Sequence, residues 1–335
     1  MEVCRGFQYM IGANYNSTIQ LCFFSYLNSI DDGGAILIDR FFHSISVKES
    51  HFFRCEASNS GGAIYLGCWK CDISILRCCA SYCMIQNYKG HFCFLNTSNL
   101  IQIDDTSIVC NGGIKKTGTC TSFLYKADTR VTNTNTSRNV AIRYSCLVYE
   151  NSFVSMTAYS LFVENNSTEY GNIFFYTYIG YSEHSFSNCI VAKNRIERFD
   201  FPSGVVKIQS NARVMNTLFE MNSDPFLLPY NQNFRIAFIN CSVLYQDIQS
   251  INLSIGVFQN TTWNPFPFPQ IFQCTNIDFT EETKEKINTK PNIVIIMVLV
   301  GILMVSSLVF VLSSKTLRNI SDQNILNKTI VAEFG

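Results

Sequence analysis

Two stretches of this chain spell the same pattern 28 residues apart, and no other feature constrains its fold as strongly. They are FFSYLNSIDDGGAILID from Phe23 and FFRCEASNSGGAIYLG from Phe52. Phe24 and Phe52 each precede a double glycine by nine residues, and the glycines continue as Gly33-Gly34-Ala35-Ile36 and Gly61-Gly62-Ala63-Ile64. A fixed period between 20 and 50 residues is the mark of a stacked array, in which one unit cannot bury its apolar face alone. A second rule runs further along the chain, an apolar residue followed three positions later by Asn or Cys. It covers Phe52/Cys55, Ile75/Cys78, Val148/Asn151, Phe162/Asn165, Val191/Asn194 and Phe219/Asn222. Spacings of 28, 23 and 28 residues among the clearest copies, Phe24 to Phe52, Phe52 to Ile75 and Val191 to Phe219, imply coils of about 25 residues. A degenerate glycine copy, Ser203-Gly204-Val205-Val206, places both rules in one unit.

The fold these patterns predict is all-β: a right-handed parallel β-helix solenoid followed by a single transmembrane α-helix. Each coil sets short strands over the same strands of the coil below, so inward side chains stack on their equivalents. Phe24 over Phe52 over Ile75 is the expected apolar ladder, and Asn151, Asn165, Asn194 and Asn222 are expected to form polar ladders at turns. Paired glycines suit a corner needing positive φ and close approach of the next coil. An antiparallel sandwich explains turn glycines but not their constant offset from Phe. The stretch from His91 to Asn139 fits the repeat least well, and TRVTNTNTSRN from Thr129 reads as a loop bulging from one corner.

Residues Asn292 to Leu312 carry no charge and match the roughly 20 apolar residues that cross a bilayer as a helix. Lysine and arginine do not orient the span, since Lys284, Lys286 and Lys290 precede it and Lys315, Arg318 and Lys328 follow it. All 15 Cys precede it, as do eight N-glycosylation acceptor sequences at Asn16, Asn96, Asn135, Asn165, Asn166, Asn240, Asn252 and Asn260. Both point to an N-terminal ectodomain outside a plasma membrane crossed once. The expected organisation is an ectodomain over 1–274, a juxtamembrane stalk over 275–291, the helix over 292–312 and a cytoplasmic tail over 313–335. The prolines of WNPFPFP, from Trp263, close the strand pattern. Met1 to Ser17 has no secretory apolar run, so the expected authentic start lies upstream.

Gly-Gly-Ala-Ile with Phe-x-x-Asn resembles the motif pair of the chlamydial polymorphic outer membrane proteins and of their relatives on trichomonad surfaces. The resemblance rests on Gly33 to Ile36, Gly61 to Ile64, Phe162/Asn165 and Phe219/Asn222. It implies a β-helical, pectin lyase-like passenger displayed at a surface and used in adhesion. Here a helical span stands in place of an outer-membrane barrel, and Cys55 and Cys78 stand where the family has Asn.

Zero net charge and a 15% charged fraction give no basic surface for nucleic acid. Cys55, Cys68, Cys71, Cys78, Cys79 and Cys83 form the densest cysteine cluster, whose short spacing suits disulfides or stacked thiols better than zinc. Polysaccharide lyases and hydrolases also use β-helices, but their sites need convergent carboxylates. Asp31-Asp32 and Asp104-Asp105 are adjacent in sequence, so each pair points to opposite faces of a strand. Asp31-Asp32 reads as a turn, and His43, His51, His91 and His184 have no metal spacing. The expectation is therefore a non-enzymatic adhesin of host-cell or matrix glycans or proteins, with no cofactor and no metal. The alternatives are a carbohydrate-active β-helix enzyme and a structural coat or antigen.

Overall fold

The computed structural model describes residues 16–39, 42–113, 118–176, 183–197, 204–223, 227–229, 236–243 and 256–259. The chain divides into two compact units, Met1–Cys274 and Thr275–Gly335, and all the described residues belong to the first. They form a parallel β-solenoid. The first coil runs through strands Asn16–Gln20, Phe23–Ser25, Asn28–Ser29 and Ile36–Asp39, and the second through Ser44–Lys48, His51–Phe53, Glu56–Ala57 and Ile64–Gly67. Stacking the first strand of each coil builds a 10-stranded sheet, here sheet 1; the second strands build 9-stranded sheet 2, and the last strands 8-stranded sheet 3. All described pairings are parallel, and short third strands form two 3-stranded ladders at the corner between sheets 2 and 3.

Registers set the coil length. Asn16 pairs with Ser44, Ser44 with Asp72, and Leu100 with Asp128, each one coil of 28 residues apart. The expected 25-residue coil is too short for most of the stack, because Phe52/Cys55 and Ile75/Cys78 lie at different corners. Ile75 belongs to sheet 1, between Val47 and Ile103. Phe24 does stack on Phe52, ring centroids 5.0 Å apart and planes 11° from parallel, but the next residue down is Ala80. Phe92 fills the space a third phenylalanine would take, 6.0 Å from Phe52.

Alternation decides what the coils bury. In sheet 1, Ile45 and Val47, Ile73 and Ile75, and Ile101 and Ile103 all point inward and are buried, while Ser46, Ser74 and Gln102 between them face out. β-branched side chains suit such a pleated surface, and each buried Ile or Phe stabilises the stack by roughly 1.5–3 kcal/mol. The same alternation corrects the reading of TRVTNTNTSRN as a loop. Asp128–Thr132 and Asn135–Ser137 are strands in register, with Thr129, Val131, Thr134 and Thr136 buried. Thr134 satisfies its buried hydroxyl locally, Oγ1 donating to Thr132 O at 3.0 Å, whereas the Thr129 and Thr136 hydroxyls are buried without a hydrogen-bond partner among the described residues.

Corners follow one rule: a left-handed residue, then a small polar or sulfur side chain turned inward. Between sheets 1 and 2, positive φ recurs at Glu49, Arg77, Asp105, Asn133, Tyr159, Asn188, Asn216 and Asn240. Ser50, Cys78, Thr106, Thr134, Ser160, Cys189, Thr217 and Cys241 follow them, all buried. A non-glycine residue at positive φ costs of order 1 kcal/mol or more. Inter-coil bonds from that same residue offset it, such as Glu49 N–H to Leu76 O at 2.9 Å. After sheet 2 the rule repeats with Arg54, Tyr82, Cys110, Arg138, Glu164, Lys193 and Met221 left-handed. Next come Cys55, Cys83, Asn111, Asn139, Asn165, Asn194 and Asn222.

Those asparagines are a continuous hydrogen-bonded ladder. Nδ2 of Asn111, Asn139, Asn165 and Asn194 each donates to Oδ1 of the next, at 3.0–3.1 Å. Each Nδ2 also donates backwards, Asn165 to Thr136 O at 2.8 Å, and each Oδ1 takes a second bond from a backbone N–H, Asn165 from Asn139 N–H at 3.0 Å. An amide with two donors and two acceptor sites is thereby saturated in an interior where an unmet group would be costly. Cys55 and Cys83 stand in the same ladder, their thiols directed at the equivalent carbonyls of Phe24 and Phe52. Two expectations are corrected here. Asn151 lies outside the ladder at the corner after sheet 3, and Cys83 rather than Cys78 takes an asparagine position.

The double glycines turn the third corner. Gly33 and Gly61 have φ of 63° and 64°. A side chain at Gly62 would strike the His91 and Met84 carbonyls of the adjoining coil. The degenerate copy falls in line, with Val206 paired to Ile173 and Gly204 packed against Gly171. Among the described residues no helix is long and apolar enough to cross a membrane. The expected stalk, span and tail, the WNPFPFP segment, and Asn252 and Asn260 lie outside the described residues.

Candidate functional site

Most residues singled out by the sequence pattern hold the stack together. Gly33, Gly34, Ala35, Ile36, Gly61, Gly62, Ala63 and Ile64 turn the third corner and re-enter sheet 3, while Phe162 and Phe219 are buried in sheet 2 beside their ladder asparagines. The acid pairs are likewise structural. Asp32 Oδ1 accepts the Ser60 N–H of the next coil at 2.7 Å, and burial raises its pKa. Asp104 accepts the Thr132 hydroxyl one coil on, and Asp105 is a left-handed corner residue. His91 and His184 are buried, and burial pulls both down to about 4. His91 Nδ1 accepts the Ile85 N–H at 3.1 Å, and His184 Nδ1 meets the Ser155 hydroxyl. No group of three or more His, Cys, Asp or Glu among the described residues could hold a metal ion.

The cysteines separate into two kinds. Cys55, Cys78 and Cys83 are buried thiols inside the coils, and burial pushes Cys78 up to about 12. Cys79 is disulfide-bonded, and Cys68 is bonded to Cys71. Of the expected glycosylation acceptors, Asn165 is fully buried with its amide committed to the ladder, which removes it as an acceptor in the folded chain. Asn16 and Asn240 are exposed; Asn96, Asn135 and Asn166 are half-buried. Asn166 Nδ2 donates to Glu197 at 2.8 Å.

Outward-facing side chains are where a partner could bind, and two clusters stand out. On sheet 3 the register aligns Tyr65, Phe94 and Phe123 on the outer face, with stacked rings 5.0 and 5.2 Å apart, but Phe94 and Phe123 are buried in a small apolar cluster of their own and only Tyr65 is half-exposed. The neighbouring row at the end of the same strands runs Asp39, Gly67, Asn96, Tyr125 and Glu150. There the chain leaves Gly67 through Cys68-Trp69-Lys70-Cys71, a turn closed by the disulfide, with Lys70 at φ 59°. Thr97 fixes the turn from the next coil: its hydroxyl donates to Cys71 O at 2.5 Å and accepts Cys71 N–H at 3.1 Å. Trp69 nevertheless points into solvent, 65% exposed, beside a groove of about 280 Å³ bordered by Asp39, Gly67, Asn96, Ser98 and Lys126.

The second cluster decorates sheet 2. Tyr26, Phe53 and Tyr82, from three successive coils, meet edge to face at 5.5 and 5.7 Å, with the Arg54 guanidinium 5.3–5.9 Å from all three rings. Tyr26 and Tyr82 are 60% and 51% exposed, so this cation–π group is a surface feature. Sequence reasoning missed both clusters. Their signals were a tryptophan between two close cysteines and aromatics next to Arg54, each legible only once the coil register is known.

No protein-family model, curated protein or solved structure matches this chain. Its class is therefore defined by its own geometry, that of an all-β parallel solenoid.

Proposed function

We propose that this chain is a surface-displayed β-solenoid that binds extended partners through its outer faces, an adhesion role of the kind the GGAI and Phe-x-x-Asn resemblance implies. The observation that carries it is aromatic surface left in water at fixed positions: Trp69, Tyr26 and Tyr82 stand on rigid corners rather than in the core. Exposed aromatics on a rigid frame lose little freedom on binding and are favoured contact residues. A solenoid also presents equivalent positions one coil apart, so weak contacts add along one partner and across many displayed copies. The enzyme alternative is less well supported, because Asp32 and Asp104 are held in corner hydrogen bonds rather than converging on a face.

Membrane anchorage through Asn292–Leu312, with the N-terminal unit outside, belongs to the same proposal and rests on the apolar run, the cysteine distribution and the exposed acceptors Asn16 and Asn240. The full chain displayed on a cell surface tests both parts. Saturable binding to epithelial cells or matrix, with externally accessible N-terminal epitopes, is the expected result. Display without any saturable binding would favour an inert coat, and cleavage of a polysaccharide would favour the enzyme.

A further inference from the structure

We infer that the groove beside Trp69 is a subsite for a neutral saccharide, with the indole as the face on which one sugar ring stacks. The inference rests on the binding-scaffold reading above and specifies its ligand. Three observations converge on it. Trp69 is 65% exposed although its turn is fixed by the Cys68–Cys71 disulfide, by Thr97 and by the Asn99 Nδ2 bond to Lys70 O at 3.1 Å. A mobile indole could fold back onto the protein; one held on such a turn presents its apolar face at low ordering cost.

Gly67 keeps the groove open. A Cβ there would approach Asp39 Oδ1 to 2.8 Å and the Tyr65 ring to 3.1 Å, so the missing side chain is what gives the groove its floor. Its volume of about 280 Å³ lies just below the roughly 300–1,000 Å³ of drug-sized ligand sites, which suits a short segment of a chain rather than a whole macromolecule.

The rim supplies acceptors and donors in balance. Asp39 offers a carboxylate, Lys126 an ammonium 4.9 Å from the Tyr125 ring, and Asn96 and Ser98 an amide and a hydroxyl. One positive and one negative charge leave no net field to select a phosphate or a charged peptide, whereas vicinal hydroxyls can use all four groups. A pyranose presents such hydroxyls at its edge and an apolar C–H face that packs on an aromatic ring. Asn96 is also an acceptor sequence, so protein made in a host without N-glycosylation is required to keep the groove clear.

The chain has two tryptophans, so the Trp263→Phe variant of the full chain in detergent leaves Trp69 as its sole indole reporter. Neutral oligosaccharides of glucose, galactose, mannose and N-acetylglucosamine are titrated in turn, alongside sulfated and uronic acid oligosaccharides. At least one neutral series should change Trp69 emission saturably. In calorimetry on the otherwise unaltered chain, Trp69→Ala should weaken that sugar about tenfold or more, and Trp69→Phe less, as loss of one central aromatic contact does. Far-UV circular dichroism establishes that both variants fold. Preference for the acidic sugars, or unchanged affinity in folded Trp69→Ala, overturns the neutral-saccharide subsite. Saturable cell binding without any saccharide response also overturns the subsite while leaving the scaffold reading standing; absence of both removes the scaffold reading itself.

Discussion

Asn165→Ala tests the asparagine ladder where the structure leaves least room for compensation. Asn165 is fully buried, its Oδ1 accepts Asn139 N–H and Asn139 Nδ2, and its Nδ2 donates to Thr136 O and Asn194 Oδ1. Truncation orphans the Asn139 N–H and one of its two amide hydrogens, and removes a donor from the Thr136 carbonyl. Each buried unmet group costs about 1–3 kcal/mol, with water entering the vacated space recovering part of that. The expected net loss is about 3 kcal/mol. The backbone bond from Asn165 N–H to Asn194 Oδ1, 3.0 Å, survives the substitution, so the rest of the ladder keeps its register. Urea unfolding followed by circular dichroism reads the loss as a lower midpoint. Hydrogen exchange at the Asn139 amide should accelerate more than at Ile108, one coil away. Arg138→Ala, which removes a solvent-exposed pair with Glu164, should leave the midpoint unchanged. A loss below about 1 kcal/mol for Asn165→Ala would refute the claim that these amides hold the corner.

Three further outcomes follow from the same packing. His184 is held near 4 in the folded chain by burial, below the ordinary 6.5, so its contribution is intact above about pH 6.5 and shrinks as pH falls toward 4. By pH 5 the wild type should have lost about 2 kcal/mol more than His184→Gln, read from paired urea midpoints at pH 7 and pH 5. Gly62→Ala should destabilise the stack by about 1–3 kcal/mol, because its methyl group meets the His91 and Met84 carbonyls; an unchanged melting temperature would contradict the corner geometry. Maleimide labelling mapped by mass spectrometry should modify half-buried Cys110 well before Cys93 and Cys189, whose thiols burial pushes up to about 12; equal rates would contradict their enclosure.

The stacked repeat, the strand class and the corner glycines were legible in sequence, though not the 28-residue coil length, because each reflects a local requirement that recurs from coil to coil. Phe24 and Phe52 stack as their spacing implies, and Asn165, Asn194 and Asn222 share one ladder. Confusion arose where the corners share a grammar. The corners after sheets 1, 2 and 3 each use a left-handed residue near the end of a strand, so Ile75/Cys78 and Val148/Asn151 imitate the Phe-x-x-Asn unit from other corners and shorten the apparent coil. The Thr-rich coil is obscured for a related reason: its interior is lined by threonines, so Thr134 and Thr136 look like loop residues while packing as strand residues, and only Thr134 of the two has its hydroxyl bonded locally. Trp69 stayed hidden because its environment is assembled from four coils, with Asp39, Asn96 and Lys126 reaching the groove only through register.

Distances along one outward row of sheet 1 test the stacking itself. Ser44 lies over Asp72, and the row continues through Leu100, Asp128, Val154, Glu183 and Asn211. With neighbouring strands about 4.8 Å apart, spin labels on unnatural residues at 44 and 154, 44 and 183, and 44 and 211 should be separated by roughly 19, 24 and 29 Å between Cα positions. Even increments, one strand spacing per added coil, are what dipolar spectroscopy should return. Separations that do not rise in that order would mean the chain is not wound as a column, and every site described on its faces would lose its footing.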